Sequence, residues 1–291
     1  MTGKLLLNYL ANRTDCVARP GHCAAFQIES ADCGLSWSAP PVSLAPALGA
    51  YNDGVRPGPG RGIQLTAGAK AGRILMSGSF DQRDPGSDPA IDLVWYSDDH
   101  GKTFNLSAAR LPLGDESTLA ELANGSVVIN MRNGKPSGCS CRLVAISHDA
   151  GETFSEPYHI PDLIEPGGCQ GSLLRDSLTG PDLFFSNPSS THGRVNMTVK
   201  RSSDGGATWP SAVVVYPGAS AYSCLAALPA TPAVGDGGAR LSTAGRDESR
   251  DASSGDFASS TRVGLVFEHG DGGSAYGSIS FAALDESAWA A

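Results

Sequence analysis

Long apolar runs are missing from this sequence. No stretch of its 291 residues approaches the ~18 consecutive apolar residues that a membrane-spanning helix needs. Runs of basic residues are missing too. Lys and Arg number 21 against 30 Asp and Glu, for a formal net charge of -9, and nucleic acid is not an expected partner of such an acidic chain. Helical periodicity is nearly absent. Neither a G-x-S-x-G elbow nor a phosphate-cradling glycine loop occurs, so the serine-hydrolase and P-loop signatures are lacking. The six histidines are scattered. Cys139-Ser-Cys141 has the spacing of a half metal site, but no second Cys or His pair follows at zinc spacing. A packed or disulfide role suits it better, and neither a metal nor a cofactor is expected.

What is present is the material of strands and turns. Gly 36 and Pro 19 are high for a helical protein and ordinary for many strands joined tightly. At 41% hydrophobic residues the chain is not a disordered one, and its length allows one large all-β domain or two small ones, with a single domain over residues 1–291 expected. Met1 to Ala11 reads as a strand rather than a signal peptide, because its apolar stretch is short and no small-residue cleavage site follows. Seven cysteines leave at least one unpaired within the chain. Four N-x-Ser/Thr sequons, at Asn12, Asn105, Asn124 and Asn196, lean toward a lysosomal or secretory route, with the cytoplasm as the alternative.

One pattern, S-x-D-x-G-x-[ST]-[WF], recurs four times, beginning at Ser30, Ser97, Ser147 and Ser202. The intervals are 67, 50 and 55 residues, which suits one propeller blade per repeat. The chemistry is that of a hairpin turn. Ser and Asp side chains bond to amides a few residues on, the Gly takes a positive φ, and the final aromatic anchors the turn. Trp37, Phe104, Phe154 and Trp209 are therefore expected to be buried. Strand-like segments, 90–96, 142–146 and 194–200, precede the last three copies.

The stretch from Asp115 to Asn133 reads as strand, Asn124-Gly125 hairpin, strand. Alternation puts Val127, Ile129 and Met131 on one face, and Val128, Asn130 and Arg132 on the other.

The four repeats resemble the Asp-box, the turn motif of sialidases. The central stretch resembles lysosomal neuraminidases most closely, through Asn130-Met-Arg132-Asn133 and the following Cys139-Ser-Cys141-Arg142. The similarity continues through Phe184-Phe-Ser-Asn-Pro188, Arg194-Val-Asn196-Met-Thr198, Pro217-Gly-Ala-Ser-Ala-Tyr222-Ser223 and Phe267-Glu268. The resemblance implies an all-β, sialidase-type six-bladed propeller. About five blade units are recognisable, at 1–49, 50–110, 111–161, 162–216 and 217–291. The blade that carries a further arginine and the acid/base aspartate in sialidases has no counterpart in the pattern.

By the same resemblance Tyr222 is the nucleophile and Glu116 its base. Arg132 and Arg194 grip the substrate carboxylate, and Glu268 steadies an arginine from behind. The residue types fit. Sialic acid carries a carboxylate on its anomeric carbon, so a neutral phenol attacks where a carboxylate would meet like charge. A phenol of pKa ~10 needs a base, and guanidinium forks bind carboxylate bidentately. The implied activity is that of a retaining exo-α-sialidase acting on glycoproteins, oligosaccharides or gangliosides. The alternative is a propeller that binds sialic acid, or a protein partner, without turnover. Unpaired sheet edges predict self-association.

Overall fold

The computed structural model describes residues 3–12, 23–80, 90–133, 138–175, 180–229 and 262–289; Cys16 lies outside them. The chain divides into two compact units, residues 1–136 with 143–159, and residues 137–142 with 160–291.

The described residues hold four sheets, joined by turns, loops and short helical segments such as Ala45–Leu48. The first holds β1 (Leu5–Asn12), β2 (Cys23–Ser30) and β3 (Val42–Ser43). The second holds β4 (Arg56–Pro57), β5 (Ile63–Gln64), β6 (Ile74–Phe80), β7 (Ile91–Ser97), β8 (Asn105–Leu106) and β9 (Leu111–Pro112). The third runs β10 (Gly114–Glu121), β11 (Val127–Asn133), β12 (Cys141–Ser147) and β13 (Tyr158–Ile164). The fourth runs β14 (Ser172–Leu174), β15 (Leu183–Pro188), β16 (Val195–Ser202), β17 (Ser211–Leu228), β18 (Arg262–Gly270) and β19 (Ser278–Leu284). These are four blades of a β-propeller. The units expected at 162–216 and 217–291 are one continuous sheet, because the 18-residue β17 pairs with β16 along its first half and with β18 along its second.

The repeats close as their chemistry requires. In each, the serine hydroxyl bonds the aspartate at 2.7–2.8 Å and accepts the glycine N–H at 2.8–2.9 Å. The other aspartate oxygen takes the Ser/Thr hydroxyl at 2.5–2.7 Å. Gly34, Gly101, Gly151 and Gly206 have φ of 89°, 81°, 86° and 92°. The residue before each is left-handed as well: Cys33 at 60°, His100 at 62°, Ala150 at 59° and Gly205 at 77°. Two successive positive φ values match the right-handed twist of the flanking strands.

The terminal aromatics are not all buried. Trp209 is, at 6% exposure, with Nε1 donating to the Gly206 carbonyl at 3.1 Å. Phe104 and Phe154 are half-buried against the cores of their own unit. Trp37 is 39% exposed and folds back over its own turn, 3.7 Å from the Cβ position of Gly34. A turn can be closed by its own hydrogen bonds, so its aromatic packs only where a neighbour offers a surface.

In the first unit Val127, Ile129 and Met131 enter one apolar cluster with Leu75, Leu119 and Leu143, as the alternation predicts. Trp95 is fully buried and spends its indole N–H on Asn8 Oδ1 at 2.9 Å, tying β7 to β1. The second unit has its own cluster around Phe184, Leu225, Leu265 and Phe267. Burial of each such side chain stabilises the fold by roughly 1.5–3 kcal/mol.

Candidate functional site

The five candidate residues fall into two groups, one in each unit. Glu116 and Arg132 belong to the first. Asn124-Gly125 turns β10 into β11, with Gly125 at φ 83°, and the ladder runs back from Glu121↔Val127 to Ser117↔Met131. The register then shifts between Ser117 and Gly114, so Asp115 and Glu116 stand in a β-bulge. Bulges re-aim side chains and are common beside active sites. Here the bulge turns both carboxylates toward Arg132, whose Nη1 donates to Glu116 Oε2 at 2.7 Å and whose Nε lies 3.3 Å from Asp115 Oδ2. Arg56, from β4, approaches Asp115 at 3.6 Å from the other side. Gly114 is required at the start of the bulge: a Cβ there would lie 1.9 Å from Asp92 Oδ2 and 3.1 Å from the Met131 sulfur.

Tyr222, Arg194 and Glu268 come together in the second unit. A bulge presents the tyrosine too. The β17–β18 register shifts between Ser220 and Ser223, which leaves Ala221 and Tyr222 outside the ladder. The freed N–H of Tyr222 donates to Glu268 Oε2 at 3.1 Å. Glu268 thus holds the backbone of the tyrosine, where the sequence reading had it steadying an arginine. The Tyr222 ring is half-buried against Cys169, Ala219, Ala221 and Ala275. The Arg194 guanidinium carbon lies 5.6 Å from the centre of that ring. Arg194 is fixed in turn: Nη2 donates to the Gly168 carbonyl at 3.0 Å, and Nη1 to the Tyr276 hydroxyl at 2.5 Å.

Asp115, Arg56, Gly168 and Tyr276 carried no assignment from the sequence. Asp115 adjoins Glu116 and was within reach of motif reading; the others meet the group only through tertiary packing. Cys139 and Cys141 form a disulfide, one of the two roles expected of them. Behind the second group lies a buried ion pair. Arg142 Nη1 donates to Glu165 Oε2 and to the Cys169 carbonyl, both at 2.6 Å. The arrangement as a whole offers guanidinium groups suited to an anion in each unit, a phenol beside one of them, and a carboxylate beside the other.

The chain is similar to known proteins in sequence and in fold. A sialidase of Micromonospora viridifaciens is 34% identical over 209 residues, covering 69% of this chain and 31% of that protein. Human Sialidase-4 (Homo sapiens) is 30% identical over 160 residues, covering 50% of this chain and 32% of that protein. The chain therefore spans about a third of the length of the curated relatives it matches. The solved structure of the Hadza microbial sialidase Hz136 superposes with a TM-score of 0.71 at 24% identity, over 99% of this chain and 51% of that one, and shares its fold. Residues 1–236 match the BNR repeat-like domain, and the chain belongs to that family.

Proposed function

We propose that the chain carries the larger part of a retaining exo-α-sialidase site, with Tyr222 as nucleophile, Glu116 as its base, and Arg132 and Arg194 gripping the substrate carboxylate. The observation that carries this reading is the bulge that sets the Tyr222 ring beside the Arg194 guanidinium, with the tyrosine amide held by Glu268. A structural tyrosine has no need of a cation fixed at its ring or of an interrupted ladder. The similarity to sialidases supports terminal sialic acid as the substrate group, and glycoproteins, oligosaccharides or gangliosides are its proposed carriers.

In the first step the Tyr222 oxygen bonds to the anomeric carbon, the glycosidic C–O bond breaks, and the phenol proton passes to Glu116. The leaving group departs as an anion and takes a proton from solvent. Water then displaces the tyrosine from the anomeric carbon, Glu116 returns its proton to the tyrosine oxygen, and the proton lost by the water passes to solvent, with net retention. Arg194 and Arg132 neutralise the carboxylate beside the reacting carbon, which lets the phenol oxygen approach.

No residue is proposed as the leaving-group acid. Positioned acids contribute typically about 10²–10⁴-fold, most for a sugar alcohol and least for a phenol that departs as an anion. An aryl sialoside is accordingly expected to turn over faster than sialyllactose, and Tyr222→Phe to abolish both. Brisk, equal hydrolysis of the two substrates would reveal an acid within the chain. Aryl hydrolysis undiminished by Tyr222→Phe would remove the nucleophile assignment.

A further inference from the structure

β17 changes partners beside Tyr222, and something must satisfy the edge it leaves. Its pairing with β16 ends at Ala219↔Val195, followed by one last bond from Ser220 N–H to the Arg194 carbonyl at 2.9 Å. Beyond that point the same edge of β17 faces the segment Gly168-Cys169-Gln170-Gly171-Ser172. The bonds there come from side chains. Gln170 Oε1 accepts the Ser223 N–H at 2.9 Å, Gln170 Nε2 donates to the Ser223 carbonyl at 2.9 Å, and Ser172 Oγ accepts the Leu225 N–H at 3.0 Å. One primary amide thus reproduces both hydrogen bonds of a missing strand partner.

The residue so held is the one after Tyr222. Tyr222 gives its N–H to Glu268 on the β18 side of the strand, and Ser223 gives its N–H to Gln170 on the other. Gln170 and Ser223 are 2% and 5% exposed, so water is a poor substitute for either bond. The segment is itself immobilised. A Cβ on Gly171 would lie 2.4 Å from the Phe185 ring, so the backbone is packed hard on β15. The Cys169 carbonyl is held by Arg142, and the Gly168 carbonyl holds Arg194. The segment therefore meets the arginine at Gly168 and the strand that bears the tyrosine at Gln170 and Ser172.

We infer that Gln170 is a positioning residue for Tyr222: its side-chain amide stands in for a strand at the bulge and fixes the phenol relative to Arg194. The inference rests on the reading of Tyr222 as nucleophile. It goes beyond the family resemblance, which assigned nothing to the Gly168–Ser172 segment. Gln170 bonds both backbone groups of Ser223, so it acts on Tyr222 through the Tyr222–Ser223 backbone.

The test uses the whole chain with an aryl α-sialoside. Gln170→Met keeps the length of the side chain and removes the amide. It is expected to lower kcat by about 10²-fold, the scale of an ångström of misplacement, with KM nearly unchanged. In a Tyr222→Phe background the same substitution is expected to lower nothing further, as for groups that act as a unit. NMR of the chain labelled in its tyrosine rings gives a readout that does not need turnover. The resonance lost in Tyr222→Phe identifies Tyr222, and Gln170→Met is expected to move it. Gln170→Glu, which keeps the acceptor and loses the donor, is expected to move it less and carries the test should the Met variant not fold. A folded variant with parental kcat, or with the Tyr222 resonance in place, overturns the inference. A parent chain without turnover, or Tyr222→Phe with full turnover, counts against the nucleophile reading alone, and the resonance still decides whether Gln170 holds the tyrosine.

Discussion

Arg132 is gripped by two adjacent residues of its partner strand, Glu116 at 2.7 Å and Asp115 at 3.3 Å. Its side chain is 22% exposed, so the guanidinium is oriented without being sealed off. A lysine in its place has the charge without the fork, and cannot serve a carboxylate and a ligand in one plane. Arg132→Lys is therefore expected to weaken aryl sialoside binding nearly as much as Arg132→Met, with KM raised on the order of 10–100-fold for lost hydrogen bonds to a charged group. Steady-state kinetics on the two variants decides it, and full rescue by lysine would show that a point charge suffices.

The buried pair behind the tyrosine supports a sharper stability prediction. Arg142 and Glu165 have side-chain exposures of 0% and 2%. Glu165→Gln removes the carboxylate charge from beside a buried guanidinium and is expected to cost about 3–5 kcal/mol, read from urea denaturation. Arg142→Met combined with Glu165→Leu removes both charges and is expected to recover most of that loss. Recovery should stop short of the parent, because the Cys169 carbonyl loses its donor at a cost of about 1–3 kcal/mol. A single Gln variant as stable as the parent would mean that water reaches the pair.

Much of this architecture is legible in the sequence, for local reasons. The four turns are closed by side chains two to four residues from the amides they bind, so their pattern is fixed wherever it occurs. The β10–β11 hairpin is legible because Asn124-Gly125 sets the turn and alternation sets the face. The bulges at Asp115-Glu116 and at Ala221-Tyr222 are not. Whether a ladder skips two residues depends on what the other strand and the neighbouring segments offer, here Gly114 against Asp92 and Gln170 against Ser223. The double pairing of β17 was hidden for the same reason, and it merges two expected blades into one sheet. Residue types near the site could be matched by family likeness, while the groups that hold them, Tyr276 and Gln170 among them, are known only from packing.

The left-handed residue before each turn glycine points to a stabilising substitution. His100 has φ 62° and is exposed. An L-residue pays roughly 1–2 kcal/mol for that conformation, while a glycine there costs about 0.4–1 kcal/mol in unfolded-state entropy. The balance favours His100→Gly by about 0.5–1 kcal/mol. Gly205 already occupies the equivalent place in the fourth repeat. A rise in thermal midpoint with unchanged activity is the expected outcome, and a fall would show that the His100 ring makes a contact worth more than the strain.

The same turns predict an acid dependence. Asp99 is held at a pKa of about 2, against 3.8 for a free carboxyl, first by the Thr103 hydroxyl, then by the Thr103 amide and Ser97. A carboxyl depressed in the folded state contributes stability that is fully present above its unfolded value and is lost as pH falls through its folded value. The window for Asp99 therefore runs from 3.8 down to about 2. Asp32 and Asp204 are depressed to about 2 as well, each first by the hydroxyl at the end of its own turn, so these three repeats titrate together. Asp99→Asn keeps the shape and removes the charge. At neutral pH it is expected to lower the urea midpoint, because an amide cannot accept at both oxygens' places. As the pH drops through the window the parent's own carboxyl protonates, and the gap between parent and variant is expected to close. Urea titrations of the two proteins at a series of pH values give the answer directly. A gap that stays constant down to pH of about 2 would mean that the turn is held by shape rather than by the charge on Asp99.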